Sequence, residues 1–248
     1  MSHPPAGDAP LHHTATRGSG VPVVLLHGFG TDHHANWVRT GWDSALAGLP
    51  TVAVDLRGHG GSGRPHEARA YAPEAMADDV VRLLDVLGIE RADLVAYSMG
   101  SRLAWELALT RPERVRRAVL GGFGPDDAFA GTDLNSLGSA RTPFGRVYRA
   151  AAALPGADPA ALAACARGQA AHPFTASPAP RGVPLLFVAG EHDDLARGVE
   201  DLARATGSDV VRIPGRDHRT AVSAQAFKKS TVEFLARGAH SDAPDRLD

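Results

Sequence analysis

The chain has 248 residues, 44% hydrophobic and 22% charged, with a formal net charge of −2 and one cysteine, Cys165. That length suits one domain with a small insertion, or at most two domains, and a near-neutral charge gives no basic field for nucleic acid or an anionic membrane surface. A lone cysteine excludes an intrachain disulfide and a cysteine zinc cluster, and no apolar run approaches the length of a membrane span.

Met1-Ser2-His3-Pro4-Pro5 lacks the basic and apolar regions of a signal peptide, so a cytoplasmic protein is expected. Residues Met1 to Pro10 read as a loose tail, and Leu11 to Arg17 as a strand before the turn Gly18-Ser19-Gly20. Val21 to Leu26 is a continuous apolar run, too short for a typical helix, which fits a strand buried on both faces. It ends in His27-Gly28-Phe29-Gly30, where glycines let backbone N–H groups face a ligand. His33 and His34 follow, but adjacent histidines rarely converge on one ion, and a surface loop is expected.

Thr51 to Asp55 is the next strand, leading into the glycine-dense Leu56-Arg57-Gly58-His59-Gly60-Gly61-Ser62-Gly63. This loop lacks the Gly-Lys-Ser/Thr ending of a phosphate loop, and Asp55 and His59 read as its structural supports. Pro73 to Leu87 predicts an amphipathic helix, with Val80, Val81, Leu84 and Leu87 on one face and Asp78, Asp79, Arg82 and Asp85 pointing away. Gly88 is its stop.

The strand Leu94 to Tyr97 then runs into Ser98, and a helix begins at once with Ser101 to Leu109. A strand that turns sharply into a helix leaves its turn residue strained and exposed, where a hydroxyl stands clear of the backbone. Side chains two before and two after such a serine would collide with the neighbouring elements, so Ala96 and Gly100 must be small. Arg102, beside this turn, reads as a helix-surface charge, with contact to a substrate carboxylate as the alternative.

Val115 to Leu120 is a strand, after which β-branched apolar runs stop until Pro184. Helices are expected at Arg146–Ala153 and Pro159–Arg167, the second with Asp158 as N-cap. Phe129, Leu134, Leu137, Phe144 and Tyr148 are candidates either for pocket lining or for helix packing. Strands at Pro184–Ala189 and Asp209–Ile213 follow, with a short helix between them, and a last helix runs from Ser223 to Ala236. Alternating strands and helices predict an α/β fold: a mostly parallel, doubly wound sheet flanked by helices, in which ligands bind at the carboxyl ends of the strands. The expected organisation is a core of residues 1–122 and 183–240, a helical cap insertion at 123–182, and a tail at 241–248.

Ala96-Tyr97-Ser98-Met99-Gly100, His27-Gly28-Phe29-Gly30, Asp55 to Ser62, Gly190-Glu191-His192-Asp193 and Asp217-His218 occur in one order with one element between each. This set resembles the α/β-hydrolase fold superfamily from about Leu11 to Ala236. The resemblance implies Ser98 as nucleophile, His218 as general base and acid, Asp193 as the carboxylate that orients His218, and an oxyanion hole from the N–H groups of Phe29 and Met99. Asp194 stands beside Asp193 as an alternative acid, and Asp126 is the nearest carboxylate after the preceding strand. Asp217 replaces the glycine usual before the histidine; its charge either raises the histidine pKa or points outward.

A serine nucleophile argues against dehalogenase and epoxide hydrolase chemistry, which uses aspartate at that position. The implied activity is hydrolysis of a small to medium carboxylic ester, lactone or thioester through an acyl-enzyme, with no cofactor and no metal. Alternatives are carbon–carbon bond hydrolysis of β-diketone-like substrates, cofactor-free perhydrolysis, and small-ligand binding without turnover on the same fold.

Overall fold

In a computed structural model, residues 11–237 are described; the tails expected at Met1–Pro10 and beyond Gly238 lie outside them. Seven strands form one sheet: β1 (His13–Thr16), β2 (Val23–Leu26), β3 (Thr51–Val54), β4 (Ala92–Tyr97), β5 (Val115–Gly121), β6 (Leu185–Gly190) and β7 (Asp209–Ile213). Their spatial order is β1-β3-β2-β4-β5-β6-β7, and only β1 runs antiparallel, against β3. The α-helices are α1 (Trp42–Ala45), α2 (Pro73–Val86), α3 (Met99–Thr110), α4 (Pro143–Ala152), α5 (Pro159–Ala170), α6 (Val199–Thr206) and α7 (Gln225–Ala236), α1 being a single turn.

The two-residue period of a strand sorts its side chains onto the two faces of the sheet. Val24 and Leu26 join Leu94 and Ala96 in one core, with apolar residues of α2, α3, α4 and α5. Val23 and Leu25 join Val95 and Tyr97 in the other, closed by Trp37, Trp42 and Phe227. Trp42 lies edge-on to both Trp37 and Phe227, with ring centroids 5.3 and 4.9 Å away. Burial on both faces explains why the central strands read as unbroken apolar runs.

Two expectations fail for one reason, the need of a buried charge for a partner. Asp79 does not point away from α2; it is 3% exposed and takes Arg57 Nε at 2.8 Å and Nη2 at 2.5 Å. Arg57 also donates to Ala70 O, so the glycine-dense loop is tied to α2 through its guanidinium. His33 is not in a free surface loop: its backbone N–H and its Nδ1 both reach Asp55 Oδ1 at 2.8 Å. His12 Nδ1 meets the other oxygen of Asp55 at 2.8 Å, and Gly61 N–H donates to that same oxygen. The three side chains place metal-ligating atoms within 4.8 Å of one another. Separations of 2.8 Å are those of hydrogen bonds, and the trio works as a clasp between β1, β3 and the loop after β2.

Between β5 and β6 lie α4 and α5. Thr142 caps α4 by accepting from Gly145 N–H, and Asp158 caps α5 by accepting from Ala160 and Ala161 N–H, as the Asp158-Pro159 pair predicts. Phe144, Tyr148 and Ala151 recur at helical spacing on the buried face of α4. Gly168 lets α5 close on the chain near Ala68: a Cβ there would lie 2.2 Å from Ala68 O.

Candidate active site

Ser98 sits between β4 and α3 with φ 54° and ψ −115°, and among the described residues no other non-glycine has positive φ. Such a conformation costs about 1–3 kcal/mol and persists only where the surroundings enforce it. They do so here. Ser98 N–H donates to Gly121 O at 2.8 Å, and Ser98 O accepts from Ser101 N–H at 2.9 Å. A Cβ on Gly100 would stand 2.2 Å from Leu26 O, so α3 can leave the sheet at this angle only with glycine there.

His218 follows β7. Its Nε2 lies 3.0 Å from Ser98 Oγ, and its Nδ1 lies 2.9 and 3.0 Å from the two oxygens of Asp193. A carboxylate only accepts, so Nδ1 carries the proton and Nε2 presents a lone pair to the serine hydroxyl. Asp193 is 4% exposed and is held further by Leu195 N–H at 3.0 Å. The loops bearing these two residues are joined by backbone bonds, Glu191 N–H to Ile213 O and His192 N–H to Arg216 O. Asp194 faces elsewhere, pairing with Arg197 at the surface, and Asp126 is exposed on the wall of an adjoining cavity. Asp217 turns back on its own loop and accepts from Arg219 N–H, Thr220 N–H and Thr220 Oγ1.

Three contributors carry no sequence signal of their own. Tyr97 Oη donates to His218 O at 2.6 Å, fixing the histidine backbone; burial, with the charges of Asp193 and Asp217, pushes its pKa well up, so it stays a donor. Gly122, at φ 60°, leaves room for the imidazole: a Cβ there would lie 3.0 Å from His218 Cε1. Thr31 Oγ1 donates to Gly28 O at 2.9 Å, beside a second donor, His27 Nδ1, at 2.8 Å. His27 Nε2 accepts from Leu56 N–H, which fixes the proton on Nδ1, and burial lowers the His27 pKa and keeps the ring neutral. With the Gly28 carbonyl clamped on one side, the trans peptide sends the Phe29 N–H the opposite way. Gly28 itself abuts the serine, since a Cβ on it would come within 3.3 Å of Ser98 Cβ. Met99 opens α3, so its N–H is among the donors a helix leaves without an intrahelical partner.

Arg102 departs from its expected surface role. Its side chain is 14% exposed, bonds Glu106 at 2.9 Å and lies over the Phe174 ring at 5.0 Å, because this part of α3 is covered by residues 172–174. Of the candidate lining residues, Phe129 and Phe144 stand on the cavity wall beside Ser98, while Leu137 and Tyr148 pack in the core, Tyr148 Oη bonding Pro159 O.

A family model described as the alpha/beta hydrolase fold matches residues 21–155, more than half of the chain. The chain belongs to the alpha/beta hydrolase fold family. Among its relatives, an epoxide hydrolase from Caballeronia sordidicola is 39% identical over 109 residues, 44% of this chain and 32% of the relative. A 2-hydroxymuconate semialdehyde hydrolase from Pseudomonas sp. (strain CF600) is 41% identical over 107 residues, 42% of this chain and 37% of the relative. Such matches span about a third of each relative's length. The crystal structure of the enol-lactonase from Burkholderia xenovorans LB400 superposes with a TM-score of 0.76 at 25% identity, covering 92% of this chain and 96% of that one. Among the described residues no helix is long and apolar enough to cross a membrane.

The support beneath the site is acid-sensitive. Burial holds His59 down to about 3 from 6.5. Burial works against Asp55, yet hydrogen bonds from Gly61 and His33 hold it at about 2, below its ordinary 3.8. Both shifts are downward, so between pH 6.5 and 2 the unfolded chain binds more protons than the folded one, and stability rises with pH across that window. Acidification from pH 7 to 4 should cost about 3 kcal/mol through His59 alone. Urea unfolding midpoints across this range would show the loss, and His59→Gln should flatten the slope above pH 4.

Proposed function

We propose that the protein is a serine hydrolase that cleaves carboxylic esters through an acyl-enzyme on Ser98. The observation that carries this reading is the continuous hydrogen-bonded line from Asp193 through His218 to Ser98 Oγ, with Nε2 the only ring atom free to accept the serine proton. As Ser98 Oγ attacks the ester carbon, His218 Nε2 takes its proton. The carbonyl oxygen becomes an oxyanion held by the N–H groups of Phe29 and Met99, and the positive end of α3 adds to that field. Collapse breaks the bond to the alcohol, which leaves with the proton from Nε2. Water then gives a proton to Nε2 as it attacks the acyl carbon, and the second collapse returns that proton to Ser98 and frees the acid. Asp193 holds the tautomer and balances the imidazolium. On this reading residues 123–182 form a cap over the nucleophile.

Epoxide opening is not proposed despite the relatives' names, because Ser98 occupies the place where that chemistry needs an aspartate. Carbon–carbon bond hydrolysis of β-diketone-like substrates is a second reading. A panel of p-nitrophenyl esters, lactones and β-diketones, run on the native chain and on Ser98→Ala, separates them. Ester turnover that Ser98→Ala abolishes is expected; turnover of diketones alone would favour the second reading.

The Gly28 clamp has its own consequence. Thr31→Val removes a donor from the Gly28 carbonyl and should lower kcat about tenfold with KM little changed, less than the loss from deleting an oxyanion donor outright. Thr31→Ser should restore the rate, and steady-state kinetics on one ester decide.

A further inference from the structure

Ser98 stands where two cavities meet. One is a narrow cavity of about 100 Å³ walled by Phe29, Met99, Phe123, Phe129, Phe144 and Phe174. The other is a wide cleft of about 530 Å³ with Thr31, Asn36, Arg146, His192, His218 and Arg219 on its walls. Phe29 and Ser98 border both, whereas His218 borders the cleft and not the narrow cavity.

We propose that this arrangement divides the substrate, the acyl group entering the narrow cavity and the alcohol lying in the wide cleft, so that the substrate class is esters of compact, uncharged, apolar acids with bulky alcohols. The proposal rests on the serine-hydrolase reading of Ser98 and His218. A tetrahedral intermediate has four substituents, and three directions are taken. One is the bond to Ser98 Oγ. The second is the oxyanion, toward the N–H groups of Phe29 and Met99. The third is the leaving oxygen, which must lie within hydrogen-bond reach of His218 Nε2 and therefore opens into the cleft. The direction left for the acyl substituent is the narrow cavity.

The cavity then defines the acid. At about 100 Å³ it has room for a compact acyl group such as benzoyl or hexanoyl and none for a long chain. Its charge excludes acidic tails. Arg102 on the wall is paired with Glu106 at 2.9 Å, while Asp126 and Asp127 add two further carboxylates to the lining. The cleft, by contrast, is several times larger and mixed in character, Ala150, Leu154 and Val222 standing beside Arg146 and Arg219, and it tolerates size in the alcohol. A lactone ties its acyl chain to its leaving oxygen and fills neither compartment well, so open-chain esters are preferred.

The test uses the full chain with two series of esters. With p-nitrophenol as the common leaving group, kcat/KM for hexanoate and benzoate should exceed that for dodecanoate and for hydrogen succinate by about tenfold or more. With hexanoate as the common acyl group, replacing methanol by glucose should change kcat/KM by less than about threefold. Phe129→Ala, a partly exposed position on the cavity wall, should move the optimum to longer acyl chains. Equal rates for dodecanoate and hexanoate, or rates set by alcohol size instead of acyl size, would overturn the partition. Intact mass after mixing with each ester distinguishes the two failures. A Ser98 acyl-enzyme with the wrong preference sinks the partition alone, and absence of any acyl-enzyme or turnover sinks the serine-hydrolase reading together with it.

Discussion

Asp193→Asn should lower kcat about 10⁴-fold, whereas Asp194→Asn should leave it within about twofold, because an exposed ion pair is worth little. The difference follows from position. Asp193 lies under His218 with its carboxylate almost wholly buried, and its two oxygens straddle Nδ1 at 2.9 and 3.0 Å. An amide there can present its NH₂ to the ring and favour the tautomer whose Nε2 carries the proton, which leaves Ser98 without an acceptor. Asp194 pairs with Arg197, and both are largely exposed. Kinetics of the two variants at pH 7.5, with circular dichroism to show intact folds, make the comparison. A small loss in Asp193→Asn and a large one in Asp194→Asn would reassign the acid.

Ser98→Ala should cost about 10⁶-fold in kcat, since the remaining relay then has nothing to activate. Its stability should stay near that of the native chain, because alanine keeps the strained φ of 54°. Ser98→Gly removes that strain and should raise the unfolding free energy by about 1–2 kcal/mol while abolishing turnover equally. Activity and thermal unfolding of the two variants together test whether the strain at the turn is maintained for catalysis.

The elements that place the site were legible because local rules and the fold agree there. Val23–Leu26, Leu94–Tyr97 and Leu185–Gly190 are apolar runs buried on both faces, and the loops at their carboxyl ends carry Phe29, Ser98 and Asp193. Asp158-Pro159 announced a helix start that the structure keeps. What escaped the sequence depends on partners remote along the chain. Asp79 reads as a solvent-facing carboxylate until Arg57, 22 residues away, is seen to need it. His33 reads as a loop residue until Asp55 is seen beneath it, and Arg102 reads as a surface cation until Phe174 covers it. Thr31 has no periodicity or motif to mark it; its role exists only because the chain turns back and presents the Gly28 carbonyl to its hydroxyl. The adjacent pair Asp193 and Asp194 was ambiguous for a different reason: neighbouring loop residues point different ways according to backbone torsions that spacing does not encode.

Turnover depends on His218 making Ser98 Oγ nucleophilic. The direct test is to treat the folded native chain and Ser98→Ala with a fluorophosphonate and to measure intact mass, followed by peptide mapping. One adduct is expected on the native chain, on the peptide holding Ser98, and none on Ser98→Ala. An unlabelled native chain with its fold intact, or an adduct that persists in Ser98→Ala, would contradict this role of Ser98.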